Sequence, residues 1–271
     1  MNVLITGSTG FLGKEVSLAL KQKKYNIKHI NRKRFKNKNY IYCNLSNIKR
    51  LIHLLNTIEI DTIINLAAEV NFLKKTKNMY KINTYCPYEM AKICKKKNIH
   101  LVHASGTLVN GKKKIYGINS KYNPISHYGK SKLKAELLIR KTKCNYTILR
   151  FGGIYGKNGP EHLGINKFIR LGIRGKKLIF EGNKKSLRNY IFVKDAAKFI
   201  LKCIENKKYG IFYVGGQVIS FEKMLECISK AFSKKNEILF SDKYYKKDNQ
   251  IIKTDKSVKF TSFKNSLKLI T

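Results

Sequence analysis

Residues 3–16 read VLITGSTGFLGKEV: an apolar run, glycines at positions 7, 10 and 13, then helix-forming residues. A strand that passes into a helix through such a turn aims unpaired N–H groups and the positive end of a helix dipole at the turn. Gly7 lets the chain leave the strand sharply, Gly10 removes a side chain where backbone must approach a ligand, and Gly13 lets the helix pack closely on the strand. The stretch predicts a strand–turn–helix cradle for an anion, and the linked phosphates of a dinucleotide fit it.

The pattern continues outward. Short apolar runs at 27–30, 40–42, 62–66, 100–104 and 146–150 alternate with helical patterns at 11–22, 46–58, 80–97 and 129–142. Strands spaced by helices predict an α/β fold, a doubly wound parallel sheet of the Rossmann kind with helices on both faces. After Arg150 the character changes to a Gly-rich loop, FGGIYGKNGPEHLG, a helix near 163–174 and strands at 178–180, 190–193 and 211–214. The expected organisation is a dinucleotide-binding domain over 1–155, completed by about 188–213, with a smaller substrate-binding lobe from 156–187 and 214–271.

Composition narrows the function classes. The formal net charge is +41, yet 49 of the 57 basic residues are Lys and only 8 are Arg, the side chain suited to bidentate phosphate and base contacts. With no nucleic-acid motif among the lysines, they read as solvated faces, and no specific nucleic-acid partner is expected. The same positive field suits a small phosphate-bearing substrate. Six cysteines at 43, 86, 94, 144, 203 and 227 show no zinc-type spacing and read as reduced, buried thiols, so no metal is expected. No apolar run reaches the roughly 18 residues of a membrane span, and no basic leader precedes VLIT. The expectation is a soluble, cytoplasmic protein with no membrane partner.

The TGSTGFLG spacing resembles the TGxxGxxG of short-chain dehydrogenases/reductases. The chain looks like the extended branch, the NAD-dependent epimerase/dehydratase family of nucleotide-sugar epimerases, dehydratases and ketoreductases. Further matching segments are NLAA at 65–68, Asn83 in MYKINTY, YGKSK at 128–132, ILRFGGIYG at 148–156 and RNYIFVKD at 188–195. The resemblance implies that Gly7, Thr9, Gly10, Phe11, Leu12 and Gly13 belong to the cofactor-binding set. It also implies that Asn44 and Leu45 meet the adenine, and that Leu66, Ala67 and Ala68 lie along the cofactor. Asn31 stands where NAD-binding members carry Asp, and Arg32 and Arg34 follow. An acidic residue there would repel a 2′-phosphate, so its replacement favours NADP, with NAD as the alternative.

Three Tyr/Lys pairs lie four residues apart: Tyr88/Lys92, Tyr128/Lys132 and Tyr190/Lys194. Four residues put two side chains on one helix face, where a nearby ammonium favours the phenolate of a tyrosine. Tyr128 opens a helix soon after the strand exit HLVHASGTLVNG, and the resemblance makes Tyr128 the proton carrier and Lys132 its partner, also gripping the cofactor ribose. Asn83 matches a residue that backs the lysine. The position of the usual Ser or Thr falls on Gly106, flanked by Ser105 and Thr107; either hydroxyl could polarise the substrate, with Ser105 preferred.

On the substrate side, Arg188 resembles an arginine offered to a nucleotide diphosphate, whereas Gly153 replaces an Asn that sugar-nucleotide enzymes commonly carry. The expectation is an NAD(P)-dependent oxidoreductase acting on a nucleotide-activated sugar, reducing a keto-sugar with NADPH. The alternatives are an NAD-dependent epimerase or dehydratase, and a catalytically quiet dinucleotide-binding protein kept open by Gly106 and Gly153. A homodimer is compatible with the resemblance.

Overall fold

The computed structural model describes residues 1–232, 237–241 and 243–270. The chain runs through β1 (Asn2–Thr6), α1 (Phe11–Gln22), β2 (Asn26–Asn31), β3 (Tyr40–Tyr42), α2 (Ile48–Thr57) and β4 (Thr62–Asn65). A π-helical turn (Lys81–Tyr85) leads into α3 (Cys86–Lys97), then β5 (His100–Gly106), a 3-10 turn (Thr107–Asn110), β6 (Ile115–Tyr116), α4 (His127–Lys141) and β7 (Tyr146–Phe151). Local chemistry sets the boundaries. Asn47 and Ser126 cap α2 and α4 by accepting from the N–H of Arg50 and Gly129, and Pro87 sits in the first turn of α3, where its missing N–H costs nothing. Every residue of β4 is buried, as befits a strand covered on both faces.

The remaining elements are β8 (Gly153–Tyr155), α5 (Gly164–Ile173), β9 (Leu178–Phe180), β10 (Leu187–Phe192), α6 (Val193–Glu205), β11 (Gly210–Val214) and β12 (Val218–Ser220). After them come α7 (Phe221–Ala231), β13 (Ile238–Phe240), β14 (Ile251–Ile252) and α8 (Phe263–Lys268).

Seven strands form one sheet in the order β11-β7-β5-β4-β1-β2-β3. The pairings β2–β3, β1–β2, β1–β4 and β4–β5 are all parallel. Chain order reverses at β1, which has β2 on one side and β4 on the other, so the loops leaving β1 and β4 part and open a crevice at the carboxyl ends. Leu51, Leu55, Met90, Ala91 and Cys94 of α2 and α3 form one buried cluster with Leu4, Ile30, Ile63, Leu101 and Ile148 of the sheet.

The chain divides into two compact units. The first comprises Met1–Lys112, Lys121–Arg150 and Ala197–Phe212; the second comprises Lys113–Ser120, Phe151–Ala196 and the described residues from Tyr213 onward. This differs from the sequence expectation that about 188–213 completes the first domain. Residues 188–196 stay in the second unit because β10 pairs with β8 and β12 there, and Asn189 Nδ2 donates to the Ile252 carbonyl at 3.0 Å. The second unit also pairs β9 with β13 in parallel, and Phe180 stacks on Phe221 with centroids 4.5 Å apart. Among the described residues no helix is long and apolar enough to cross a membrane, and no cluster of His, Cys, Asp and Glu could hold a metal. The six cysteines are free thiols, five of them buried.

Candidate active site

The glycine turn is built as close approach requires. Gly7 has φ +74°, and a Cβ there would lie 2.7 Å from the Ala67 nitrogen; a Cβ on Gly13 would lie 2.1 Å from the Gly7 carbonyl oxygen. Gly10 is the N-cap of α1 and no side chain caps it, so the first-turn N–H groups are left for an anion. The expected result of Gly13→Ala is a loss of about 1–3 kcal/mol of stability through overpacking, measured by urea unfolding. An unchanged midpoint would show that the cradle relaxes freely.

A groove of about 700 Å³ follows the crevice at the carboxyl ends of β1–β4. That is within the roughly 300–1,000 Å³ range of small-molecule sites. Of the expected cofactor residues, Gly7, Thr9, Gly10, Asn31, Arg32, Asn44, Leu45, Leu66, Ala67 and Ala68 line it. Phe11, Leu12 and Gly13 form the first turn of α1 and are not in the lining, nor is Lys132. Sequence reasoning missed Glu69, Val70, Asn78 and Ile82, which also line it; Ile82 lies in the quoted MYKINTY segment, where only Asn83 was singled out.

The rim of the groove differs from the expectation in one respect. Asn44 Oδ1 accepts from both Ser46 N and Ser46 Oγ at 3.0 Å, so its oxygen is already engaged in a turn rather than held out for an adenine amino group. Asn31 accepts from Lys33 N at 2.9 Å and donates to Thr9 Oγ1 at 3.3 Å, which ties the end of β2 to the glycine turn. Arg34 and Arg50 lie over the Tyr42 ring at 4.9 and 5.6 Å.

Parallel register assembles the next part. Thr6 pairs with Asn65, and Asn65 with His103, across β1, β4 and β5. Register partners in parallel strands share a face, so three polar side chains form a buried row. Thr6 Oγ1 donates to Asn65 Oδ1 at 2.6 Å, Asn65 Nδ2 meets His103 Nδ1 at 3.0 Å, and His103 Nε2 meets Lys132 Nζ at 3.1 Å. No motif marks His103; the buried polar residues at three strand ends are the signal that could have found it.

Tyr128 and Lys132 share a face of α4. Tyr128 touches Phe72 edge-on at 5.3 Å, and its hydroxyl makes no hydrogen bond among the described residues. Burial pushes the phenol up to about 12 and Lys132 down to about 8. The expected phenolate is therefore not what this arrangement favours, because the lysine nitrogen is engaged with His103 and desolvation dominates at Tyr128. Lys132 is also raised by Glu136 and Cys86, less strongly than burial lowers it.

Ser105 behaves differently from its expected role. Its hydroxyl donates to Glu136 Oε1 at 2.5 Å, inside a buried ion pair between Glu136 and Arg150, so that proton is not available to a substrate oxygen. Thr107 opens the 3-10 turn with no hydrogen bond from its hydroxyl among the described residues. Asn83 sits in the π-helical turn, accepts from Glu69 N at 2.8 Å and donates to the Glu69 carbonyl at 2.9 Å and to Ser131 Oγ at 3.1 Å. It joins α4 to the groove-lining segment after β4, with no direct bond to Lys132.

In the second unit, Arg188 is tied by Asp248, through its carboxylate at 3.3 Å and its carbonyl, and lies over Phe221 at 5.3 Å. Its fork is not held out as the sequence suggested. A Cβ on Gly153 would lie 2.5 Å from Tyr190 Cδ1, so the ring of Tyr190 fills the space a side chain at 153 would need. Tyr190 lies on β10, and in the first unit Lys92 lies over the Tyr88 ring at 5.2 Å and pairs with Glu89, which leaves Tyr128 and Lys132 as the pair beside a strand exit.

A strand–turn–helix glycine turn opening on a groove of about 700 Å³, with Tyr128 and Lys132 on one face of α4, is the arrangement expected of an oxidoreductase of the extended short-chain type. The chain matches the model of the NAD dependent epimerase/dehydratase family over residues 3–215 and belongs to that family. It is 26% identical over 242 residues to a trifunctional UDP-glucose 4,6-dehydratase/UDP-4-keto-6-deoxy-D-glucose 3,5-epimerase/UDP-4-keto-L-rhamnose-reductase of Arabidopsis thaliana, covering 78% of this chain and 36% of that protein. The chain thus spans about a third of that relative. It is 28% identical over 222 residues to the spore coat polysaccharide biosynthesis protein SpsK of Bacillus subtilis, covering 80% of this chain and 74% of that one. Among solved structures, UDP-N-acetylglucosamine 4-epimerase from Bacillus cereus superimposes with a TM-score of 0.84 at 24% identity, over 100% of this chain and 98% of that one.

Proposed function

We propose that this enzyme reduces a keto group on a nucleotide-activated sugar with hydride from NADPH. The observation that carries the reading is Tyr128: a phenol beside the strand exit of β5, with its proton held by burial and its hydroxyl uncommitted. A protonated phenol suits donation to a carbonyl oxygen, the proton movement that accompanies reduction. The residues present fit a dinucleotide. Gly7, Gly10 and the first turn of α1 would hold its phosphates, and Ala67 and Ala68, with only methyl side chains, would let it lie close to backbone. When bound, such a cofactor supplies or accepts the hydride.

The preference for NADPH rests on the end of β2, where Asn31 and Arg32 line the groove without a carboxylate. Lys132 supplies N–H donors for a ribose. Of the two candidate hydroxyls, Thr107 is the one whose proton is uncommitted, so polarisation of the substrate falls to Tyr128 and Thr107. The nucleotide-sugar substrate is supported by the family and by the names of the relatives. The first unit is read as the cofactor domain and the second as the substrate lobe.

Calorimetry with NAD, NADH, NADP and NADPH tests the cofactor. The expected result is binding of NADPH at least tenfold tighter than of NADH, with Arg32→Glu removing the difference, followed by NADPH oxidation with keto-sugar nucleotides. Heat from none of the four overturns the reading. Tightly retained NAD in purified protein would favour the epimerase or dehydratase alternative, whose cofactor is recycled in place. The commitment of Ser105 to Glu136 is the observation that favours a quiet dinucleotide-binding protein, and binding without any turnover would select it.

A further inference from the structure

The buried row ending at Lys132 has a direction, because one of its donors cannot rotate. The Ala67 backbone N–H donates to Thr6 Oγ1 at 3.3 Å, and Thr6 passes its own proton toward Asn65 Oδ1 at 2.6 Å. Asn65 therefore faces His103 Nδ1 with its amide nitrogen, at 3.0 Å. Turning that amide over would place the Thr6 hydroxyl between two donors, with no other acceptor among its described contacts. A buried hydroxyl whose proton has no acceptor is disfavoured, because it has lost its water without gaining a partner. With Nδ1 accepting, a neutral imidazole carries its proton on Nε2, and that proton points at Lys132 Nζ, 3.1 Å away. An N–H facing an ammonium is repelled. Facing an amine, it makes a hydrogen bond.

We propose that His103 is a positioning residue for Lys132, donating from Nε2 to the lysine nitrogen once that nitrogen has lost its third proton, so that deprotonated Lys132 is held as a neutral amine at the end of a one-way chain from Ala67. The inference rests on the reading of Lys132 as part of the active site. All four side chains in the row are buried: Thr6 and His103 are 0% exposed, Asn65 1% and Lys132 2%. The charged and titratable groups that face the pair are Glu136, one turn further along α4, and Cys86 at the start of α3. Both favour the ammonium, and burial opposes them more strongly. Burial and then Lys132 hold the imidazole well below its usual range, so His103 is neutral.

The arrangement has a consequence for ligand binding. An amine whose lone pair faces His103 keeps two N–H groups for ligand oxygens, the number a vicinal diol can accept. To take a third proton, Lys132 must make His103 move its proton to Nδ1 and make Asn65 turn over. Because Ala67 also lines the groove, the row joins the lysine to the cofactor site through hydrogen bonds alone.

Long-range nitrogen–proton NMR spectra of histidine-labelled, nucleotide-free protein test this, with His103 assigned by its loss in His103→Gln. Above about pH 8, where Lys132 is set by burial, His103 is expected in the Nε2–H form. As the pH falls it should cross to Nδ1–H, with a midpoint shared by the Lys132 side-chain signal. Lys132→Met should abolish the crossover and leave Nε2–H throughout. Thr6→Val, which removes the directing hydroxyl without adding charge, should raise the midpoint about tenfold in proton affinity. An Nδ1–H pattern above the midpoint, or a crossover that survives Lys132→Met, overturns the proposal. No nucleotide is present in these spectra, so they stand apart from the calorimetry: a protein that binds no dinucleotide yet shows the expected tautomer keeps this inference and loses the functional one.

Discussion

Tyr128→Phe is expected to lower turnover with a keto-sugar nucleotide by about 10²–10⁴-fold, the contribution of one positioned proton donor, while dinucleotide affinity stays within twofold of wild type. The substitution removes one oxygen, and that oxygen makes no hydrogen bond among the described residues, so folding should not change. The pH profile gives a second readout. With the phenol pushed up to about 12, Tyr128 keeps its proton throughout the neutral range. An acid used in protonated form supports the rate below its pKa and loses it above, so any limb due to Tyr128 lies at the alkaline extreme. Lys132, pushed down to about 8, is the group that titrates near neutrality. A decline in rate near pH 8 that persists in Lys132→Arg would assign that limb elsewhere. Single-turnover oxidation of bound NADPH, followed by absorbance, separates the chemical step from binding. A Phe variant with more than half the wild-type rate would falsify the assignment of Tyr128.

Much of this was legible in the residues because it depends on local pattern. The strand at Tyr40–Tyr42, the helix Phe11–Gln22 and the strand Leu178–Phe180 fall where apolar runs and periodicity put them. The glycine turn was legible because only a residue without a side chain fits against Ala67 and Gly7. What could not be read depends on long-range register. Nothing local announces that His103 will lie beside Asn65 and Thr6; that follows only when β1, β4 and β5 pair in a particular register. Arg188 was assigned to a diphosphate through the resemblance carried by RNYIFVKD, yet Asp248, 60 positions away, takes its guanidinium. Gly153 looked like a lost contact and is equally a packing position under Tyr190. The bounds of the units were hidden for the same reason, since strand β10 looks alike whether it joins the large sheet or pairs with β8.

The second large effect is expected from the buried ion pair. Arg150 NH2 donates to Glu136 Oε2 at 2.5 Å, Arg150 Nε reaches both carboxylate oxygens at 3.2 Å, and Arg150 NH2 also donates to Tyr122 Oη at 3.0 Å. Both side chains are 1% exposed. Removing one partner strands the other charge away from water, whereas replacing both by apolar residues of similar size removes the desolvation penalty along with the attraction. Glu136→Ala is therefore expected to cost about 3–5 kcal/mol, and Glu136→Met combined with Arg150→Met much less than the sum of the single changes. Urea unfolding of wild type, Glu136→Met, Arg150→Met and the double variant gives the coupling directly. A loss under about 1 kcal/mol for Glu136→Ala would mean that water reaches Arg150 and that the pair is not sealed. The double variant has a further use, because it releases the hydroxyl of Ser105 from its acceptor. If Ser105 can serve a substrate carbonyl when freed, the double variant will gain turnover per folded molecule. If polarisation belongs to Tyr128 and Thr107, no gain will appear, and any change in turnover will follow the shift of the Lys132 limb caused by the loss of the Glu136 charge.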